Sequence, residues 1–327
     1  MTHKDRYKLL CEQHPLPLSL EEKEGDTVVG AMPYLIRRRL GFRFVLQPQL
    51  TQYNGPWYNY AFLPEGYTES QRMEFEKKVA DKLLLHLQRL KLAYYQQNFA
   101  PAVTNWLPYH WWGYSQTTRY TYRLEELSDL EAVFARFDRH HRANKIRQAE
   151  KLLCVDPSMT PAQFEAYHQD YWSRKGKGDV LPEGLITRIA EAAIQRGQGA
   201  ILCLRDKETG ELMGARFVAW DGRCAYSLLS ALTMGRHPNG TSPMLFWECL
   251  KLAAEHGARS FDFEGSMDMN IEQSYRLYGA VQTPYHQIFK SNSRPFLALL
   301  RWKERRDKKQ LTKRVREAHA HKPKRRQ

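Results

Sequence analysis

The sequence predicts an α+β protein made of two similar domains, each a mixed sheet flanked by helices, followed by a basic helical tail. A length of 327 residues exceeds the usual size of a single hydrophobic core. The segments GDTVVGA and GELMGA, one in each half, both combine a turn, a short apolar strand and Gly-Ala. Both halves also show the order strand, strand, helix, strand, which favours two similar domains over one doubly wound sheet. We therefore expect an N-terminal domain over 1–127, a C-terminal domain over 128–292 and a tail over 293–327.

The composition is that of a protein with packed cores. Of its residues 42% are hydrophobic, 12% aromatic and 26% charged, as in an ordinary globular protein. The five cysteines are odd in number and form no C-x-x-C pair, so the sequence encodes neither a disulfide framework nor a zinc site. There is no apolar stretch of 18 residues and no signal-peptide core, which predicts a chain that is neither exported nor membrane-spanning. We expect a cytoplasmic protein without a metal, peripheral on the inner face of the membrane if its tail binds lipid.

Positive charge is concentrated near the C-terminus. Residues 301–327 contain thirteen Lys and Arg against three acidic residues, so they carry +10 of the net charge of +14. A tail of this kind can bind nucleic acid, including tRNA, or an anionic membrane surface. It can equally be a solvated terminal helix that keeps the protein in solution.

The first half is predicted to form several strands and one long amphipathic helix. Strands are predicted at 27–35, 41–46, 92–96 and 120–124. From Thr68 a helix runs to about Leu90, and Glu76 is placed off its apolar stripe. That stripe consists of Phe75, Val79, Leu83, Leu87 and Leu90.

The second half begins with helices and continues with strands. A helix opened by a Ser128 cap leads into a basic helical segment at 138–153, which Asp156-Pro157 ends. One further helix is predicted to start at Thr160, and another is predicted to span about 183–196. Strands follow at 200–204, 212–220 and 224–230. The basic segment can contact phosphates or present a solvated face. Its adjacent His140 and His141 face different directions on a helix, which argues against a metal site there.

The stretch 260–290 combines local elements that are typical of a functional site. Phe261 and Phe263 alternate as in a strand, the chain turns at Glu264-Gly265, a one-sided helix follows, and a second strand begins near Tyr285. A carboxylate at the end of a strand is a candidate general base, although Glu264 can also be an ordinary helix-capping residue.

A second candidate lies at 236–243. Gly240, Thr241 and Ser242 precede a helix that starts at Pro243, so free backbone N–H groups can meet a phosphate there, with Arg236 nearby. The competing interpretation is that Ser242 is an ordinary helix cap. Aromatic residues of two loops can line an acceptor groove between the domains, or fold back on the core. They are Tyr53, Trp57, Trp111 and Trp112.

Several segments together resemble the Fem-like branch of the GNAT acyltransferases, which includes the peptidoglycan-bridge peptidyltransferases. They are LTQYNGPW, TNWLPYHWWGYSQTTRYTYR, RANKIRQAEK, GELMGARFVAW and FDFEGSMDMNIEQSYRLYGAVQTPY, and they span about 25–290. The most specific parts are R-x-x-x-I-R-x-A-x-K and the FDFEGS block. The chain departs from the family pattern in a short segment before Glu21 and in Ser274, which stands where the family has an aromatic residue.

The resemblance implies tandem GNAT-like domains with the active site in the second. It implies that an acyl or aminoacyl group moves from acyl-CoA or aminoacyl-tRNA to an amine, borne by a small molecule or a cell-wall precursor. Among the candidate catalytic residues, the resemblance implies that Arg276 binds a donor phosphate or stabilises a developing negative charge. Glu264 is the candidate base, and Tyr275 and Tyr285 can donate a hydrogen bond to a leaving group or be half-buried core residues. The implied donor-binding residues are Arg236, Gly240, Thr241, Ser242 and Ser266. The alternative function is a non-catalytic GNAT-like protein that binds nucleic acid or an anionic membrane surface through the tail.

Overall fold

The structure is a computed structural model, and it describes residues 19–39, 41–176, 181–235, 237–265, 267 and 269–320. Its strands are β1 (Ser19–Glu24), β2 (Thr27–Pro33), β3 (Ile36–Arg39), β4 (Phe42–Val45), β5 (Trp57–Tyr58), β6 (Tyr94–Asn98), β7 (Ser115–Glu125), β8 (Leu153–Asp156), β9 (Gly199–Asp206), β10 (Leu212–Trp220), β11 (Cys224–Leu232), β12 (Ser260–Asp262) and β13 (Val281–Ser291). Its α-helices are α1 (Glu69–Arg89), α2 (Leu107–Trp111), α3 (Leu130–Ala135), α4 (Asn144–Leu152), α5 (Pro161–Arg174), α6 (Leu185–Gln195), α7 (Thr241–Glu255), α8 (Met269–Arg276) and α9 (Arg294–Ala320). A 3₁₀ turn covers Tyr60–Phe62, and a π turn covers Arg139–Ala143.

Ten of the described strands form one mixed sheet in the order β3-β4-β6-β13-β7-β12-β11-β10-β9-β8, and β1-β2-β5 form a smaller sheet. Two neighbouring pairs in the large sheet, β4 with β6 and β11 with β12, are parallel, and the other pairs are antiparallel. Strand β10 is buried along nearly its whole length, as expected for a central strand covered by helices on both faces. The α+β class, with a mixed sheet flanked by helices, is confirmed.

Strand β13 joins the two halves of the chain. It lies between β6 and β7, and pairs Gln287 with Asn98 on one side and Val281 with Arg123 on the other. The last strand of the chain thus completes the sheet of the first half. The boundaries at 127 and 292 stay a prediction, and the strand order adds that both halves share one hydrogen-bonded sheet.

Helices α7 and α8 cover one face of the second half. Their core partners on the sheet include Tyr122, Val218 and Phe261, and Phe246 and Tyr278 complete the cluster from the helices. The opposite face of β9 and β10 packs on α5 and α6 through a separate apolar cluster. In the first half, the apolar side of α1 packs on β2, β6 and the loop around Phe99.

Three expectations about local structure are wrong. Glu76 is buried, because its helical position lies beside Val79, and its carboxylate accepts a hydrogen bond from Tyr60 Oη at 2.7 Å and pairs with Arg72. The helix after 128 is capped by Asp129 rather than by Ser128, since the Asp129 carboxylate accepts from Ala132 N at 2.9 Å. The basic helical segment ends at Leu152, and the next four residues form edge strand β8.

No helix within the described ranges is both long enough and apolar enough to cross a membrane.

Candidate functional site

The candidate site lies where the pairing of two parallel strands, β11 and β12, ends. This place, just past Tyr226 and Asp262, is called the gap below. Strands β11 and β12 pair over three positions only, ending with Tyr226 opposite Asp262. Beyond that point β11 continues along β10 to Leu232, while β12 ends. The β10–β11 register shifts between Phe217 and Val218, so β11 carries a bulge at Leu228 beside the gap. A bulge of this kind interrupts the ladder and leaves a residue unpaired, here next to the point where the β11–β12 pairing ends.

Asp262 is the buried centre of the site, with 1% of its surface exposed. Its carboxylate accepts from Tyr53 Oη at 2.8 Å, from Thr121 Oγ1 at 2.5 Å and from the backbone N–H of Glu264 at 2.8 Å. Burial raises the pKa of Asp262, and the hydrogen bonds from Thr121 and Tyr53 oppose that rise. The network ties the loop before β5, strand β7 and the turn after β12 to one carboxylate.

The turn after β12 has a restricted backbone. Glu264 adopts φ +58° and Gly265 adopts φ +35°, both in the left-handed region that non-glycine residues rarely occupy. A Cβ at position 265 would lie 2.5 Å from the carbonyl oxygen of Tyr120 and 2.7 Å from Thr121 Cα. The chain therefore needs glycine here, and the turn leaves the side chain of Glu264 half-buried at the edge of the gap.

Two tyrosines of the stretch 260–290 lie close to these carboxylates. The Tyr275 ring packs 4.9 Å from the Phe263 ring, and burial raises the pKa of Tyr275 to about 12, with a further rise from the Glu264 charge. Tyr285 meets the Tyr53 ring edge-on at 5.1 Å, and burial likewise raises its pKa. At neutral pH both phenols are protonated and can donate a hydrogen bond.

Arg276 lies on the other side of α8 from Tyr275. Its side chain is 66% exposed, and its Nε is 3.3 Å from Glu272 Oε1. Glu272 in turn accepts from Tyr122 Oη at 3.0 Å. The structure thus brings Glu264, Tyr275 and Tyr285 together, and places Arg276 at the solvent-facing edge of the same helix.

The predicted donor loop is packed against α4. A Cβ at Gly240 would lie 2.1 Å from the carbonyl oxygen of Lys145, so the glycine permits a close approach of the two helices. Thr241 is buried and donates its hydroxyl to Pro238 O at 2.8 Å. Ser242 is half-buried in the first turn of α7. Arg236 and Ser266 lie outside the described residues.

Of the four aromatic residues predicted to line an acceptor groove, only Tyr53 contacts Asp262. Trp57 lies on β5 in the small sheet, where it pairs with β2. Trp111 is exposed and has Lys77 Nζ 5.5 Å from its ring centroid. Trp112 donates its Nε1–H to Asp81 of α1 at 2.9 Å. These contacts place Trp111 and Trp112 against α1.

Arg216 and Thr121 belong to this region, and the sequence interpretation missed both. Arg216 is 4% exposed, and its guanidinium carbon lies 3.5 Å from the centroid of the Phe246 ring. Burial lowers the pKa of Arg216. A charged residue in the middle of the apolar run GELMGARFVAW was the signal that could have revealed it. Thr121 had no such signal, because alternating polar residues are ordinary in a strand.

The described residues contain no group of three or more His, Cys, Asp or Glu side chains arranged to hold a metal ion.

Comparisons with known proteins give one domain match and several structures of similar fold. Residues 117–276 match the model of the acetyltransferase (GNAT) domain. No curated protein sequence matches the chain significantly. Among solved structures, FemX is similar with a TM-score of 0.64 at 11% identity, over 91% of this chain and 98% of FemX.

Two further structures share the fold. One is the C-terminal domain of a proposed lysylphosphatidylglycerol synthetase from Agrobacterium fabrum, with a TM-score of 0.54 at 12% identity over 91% of this chain and 94% of that one. The other is L-PGS from Bacillus licheniformis, with a TM-score of 0.51 at 14% identity over 90% of both chains. At these identities the likeness establishes the fold. The segment 117–276 therefore matches the GNAT acetyltransferase domain, and over 91% of its length the chain shares its fold with FemX.

Proposed function

We propose that the protein is a GNAT-type N-acyltransferase, which moves an acyl or aminoacyl group from acyl-CoA or aminoacyl-tRNA to an amine. The acceptor is a small-molecule amine or a cell-wall precursor. One observation carries the proposal: a half-buried carboxylate, Glu264, and a protonated phenol, Tyr275, lie beside the gap where β11 and β12 separate. A base and a proton donor at one gap between strands are what acyl transfer to an amine requires.

The proposed reaction assigns one task to each group. Glu264 accepts the proton that the attacking amine must lose, directly or through a water. The amine nitrogen then forms a bond to the acyl carbon, and the bond from that carbon to the sulfur or oxygen of the donor breaks. Tyr275 donates its proton to the departing thiolate or alkoxide. Tyr53, Thr121 and Asp262 hold the turn that carries Glu264, so they position the base without touching the substrate.

The experiment that tests the proposal is thermal unfolding of the purified protein with acetyl-CoA, longer acyl-CoAs, free CoA and charged tRNA, at two salt concentrations. A ligand that binds the native state raises the unfolding midpoint by mass action. A shift with CoA species that persists at high salt supports a thioester donor, and a shift with charged tRNA that weakens with salt supports a tRNA donor. No shift with any donor would argue against the transferase.

Replacing Arg276 with Ala is expected to raise KM for the donor about tenfold, the effect of losing roughly 1.4 kcal/mol of charge-assisted contact with a donor phosphate. Stability should change little, because the Arg276–Glu272 pair is exposed and such pairs contribute about 0–1 kcal/mol. Steady-state kinetics and a urea titration measure the two effects.

A matched control is Arg174→Ala. It removes an exposed pair with Asp170, in which the Arg174 Nε and Asp170 Oδ1 atoms are 2.9 Å apart on α5. Its kinetics should equal those of the wild type. Unchanged donor KM in Arg276→Ala would remove Arg276 from the site.

The second candidate function, a non-catalytic binding protein for nucleic acid or an anionic membrane surface, is favoured by the packing of the donor loop. The carbonyl of Lys145 lies against Gly240, and the Thr241 hydroxyl is bonded within the loop, which leaves few free donors for a phosphate. Helix α9 carries most of the basic tail.

Truncation at residue 300 separates the two functions. It keeps Phe296, whose ring lies 5.2 Å from Tyr94 and 6.2 Å from Phe44, so the remaining first turns of α9 should stay docked. Loss of salt-dependent tRNA or vesicle binding together with absence of turnover favours the binding protein. Turnover that survives the truncation favours the enzyme.

A further inference from the structure

Arg216 is a buried cation that no described acidic residue neutralises. It lies on the central strand β10, under α7 and α8, with 4% of its surface exposed. Its Nη1 donates to Ser227 Oγ, and its guanidinium stacks on Phe246. Its Nε is buried and has no hydrogen-bond partner among the described residues. No ion pair involves Arg216 within the described part of the chain.

This arrangement is unusual because arginine stays charged in proteins. Burying a guanidinium removes its hydration, and an aromatic face with one hydroxyl replaces only part of it. An unpaired buried N–H costs additional free energy. A side chain kept in this state destabilises the free protein unless something else supplies the counter-charge.

Arg142 shows what a structural arginine looks like in the same cluster. It is buried to a similar degree, lies 4.5 Å from the Tyr278 ring centroid, and its Nε likewise has no partner among the described residues. However, its Nη2 donates to Ser274 O at 2.8 Å and Ser274 Oγ at 2.9 Å, and its Nη1 donates to His141 O at 2.8 Å. Arg142 thereby joins the π turn to α8 by hydrogen bonds, whereas Arg216 makes one side-chain hydrogen bond among the described residues, to Ser227 on the adjacent strand β11.

Through its hydrogen-bond partner Ser227, Arg216 lies at the point where the pairing of β11 with β12 ends. Its hydrogen-bond partner, Ser227, is the first residue of β11 after Tyr226, which is the last one paired with β12. Arg216 stacks on Phe246, whose ring centroid lies 6.1 Å from that of Tyr275. The cation is thus separated from the proposed proton donor by one aromatic ring.

We propose that Arg216 binds a carboxylate carried by a substrate of this site, on either the acyl group or the acceptor. The inference rests on the proposed transferase site and adds a substrate class to it. A planar carboxylate matches the edge of a guanidinium, where Nε and one Nη donate side by side. Binding would satisfy the unpaired Nε and neutralise the buried charge in one step.

The test measures the unfolding midpoint with succinate and with β-alanine, against sodium chloride of matched ionic strength. Succinate has the carboxylate of an acyl group and no amine, and β-alanine has the carboxylate of an amine acceptor. We expect one of them to raise the midpoint of the wild type by about 2–4 °C at roughly ten times its Kd. Which probe acts shows whether the carboxylate belongs to the donor or to the acceptor.

Three variants give the test its contrast. Arg216→Met should have a midpoint equal to or above that of the wild type and no response to either probe, because it removes an uncompensated charge. Arg142→Met should have a lower midpoint and an undiminished response. Arg216→Lys, which keeps the charge and loses the planar edge, should fold and respond less than the wild type.

The proposal is overturned if neither probe stabilises the wild type, if Arg216→Met responds as the wild type does, or if Arg216→Met is destabilised as much as Arg142→Met. The measurement uses no acyl donor, so its outcome is independent of the donor-binding experiment. A protein that binds CoA or tRNA without a carboxylate response keeps the transferase function and loses the role of Arg216. The converse result keeps the carboxylate site and removes the transferase.

Discussion

Replacing Tyr275 with Phe is expected to lower kcat by about 10²–10⁴-fold, the usual contribution of a positioned proton donor. The hydroxyl has a pKa of about 12, raised chiefly by burial, so it is protonated at neutral pH and can protonate a leaving group. The ring contacts with Phe263 and Phe246, at 4.9 and 6.1 Å between centroids, persist in phenylalanine. The fold should therefore be retained, and steady-state turnover with the donor identified by thermal shift measures the loss.

Tyr278→Phe is the matched control for this prediction. Tyr278 follows the same helix, is fully buried, and has a pKa that burial also raises to about 12. Its ring packs on Phe137 and Phe263 and under the Arg142 guanidinium, and the charges that act on its pKa are those of Arg142 and Arg216 rather than Glu264. Its variant should keep wild-type turnover. Equal turnover in Tyr275→Phe and the wild type would show that another group protonates the leaving group.

Replacing Gly265 with Ala is expected to lower the free energy of unfolding by about 2–5 kcal/mol, the sum of left-handed backbone strain and overpacking. The added Cβ would lie 2.5 Å from Tyr120 O and 2.7 Å from Thr121 Cα, both backbone atoms that no rotamer change can move. The turn would have to shift, and the hydrogen bond from Glu264 N to Asp262 would shift with it. Urea unfolding followed by circular dichroism measures the loss.

Gly25→Ala separates strain from collision. Gly25 has φ +60° and no atom within 4 Å of the position that a Cβ would occupy. Its variant should lose only about 1–2 kcal/mol, the cost of the left-handed conformation alone. If both variants lose the same amount, the contact with Tyr120 and Thr121 is not what requires glycine at 265.

Much of the candidate site was predictable from one stretch of sequence. Glu264, Tyr275 and Tyr285 all lie within 260–290, where a strand, a glycine turn, a helix and a second strand follow one another. Local periodicity locates such elements, because side-chain direction repeats every 2 residues in a strand and every 3.6 in a helix. The role of each residue in the reaction stays a proposal.

The partners of Asp262 could not be predicted in this way. Tyr53 and Thr121 are 209 and 141 residues away in the chain, and they meet the carboxylate only because β7 pairs with β12 and the loop before β5 packs over it. The same holds for Gly240, whose requirement for glycine comes from Lys145 on another helix. No local pattern contains such information.

The sequence by itself determined the α+β class, most of the longer helices and strands, and caps such as Thr68 and Thr160, since these depend on residues within a few positions of one another. Tertiary structure alone decided that β13 returns between β6 and β7, that Asp262 becomes the centre of a buried network, and that Arg216 has no acidic partner among the described residues. The physical reason is that periodicity reports which side of an element is buried. It carries no information about which distant element covers that side, and the hydrogen bonds and charges of a site are set by that choice.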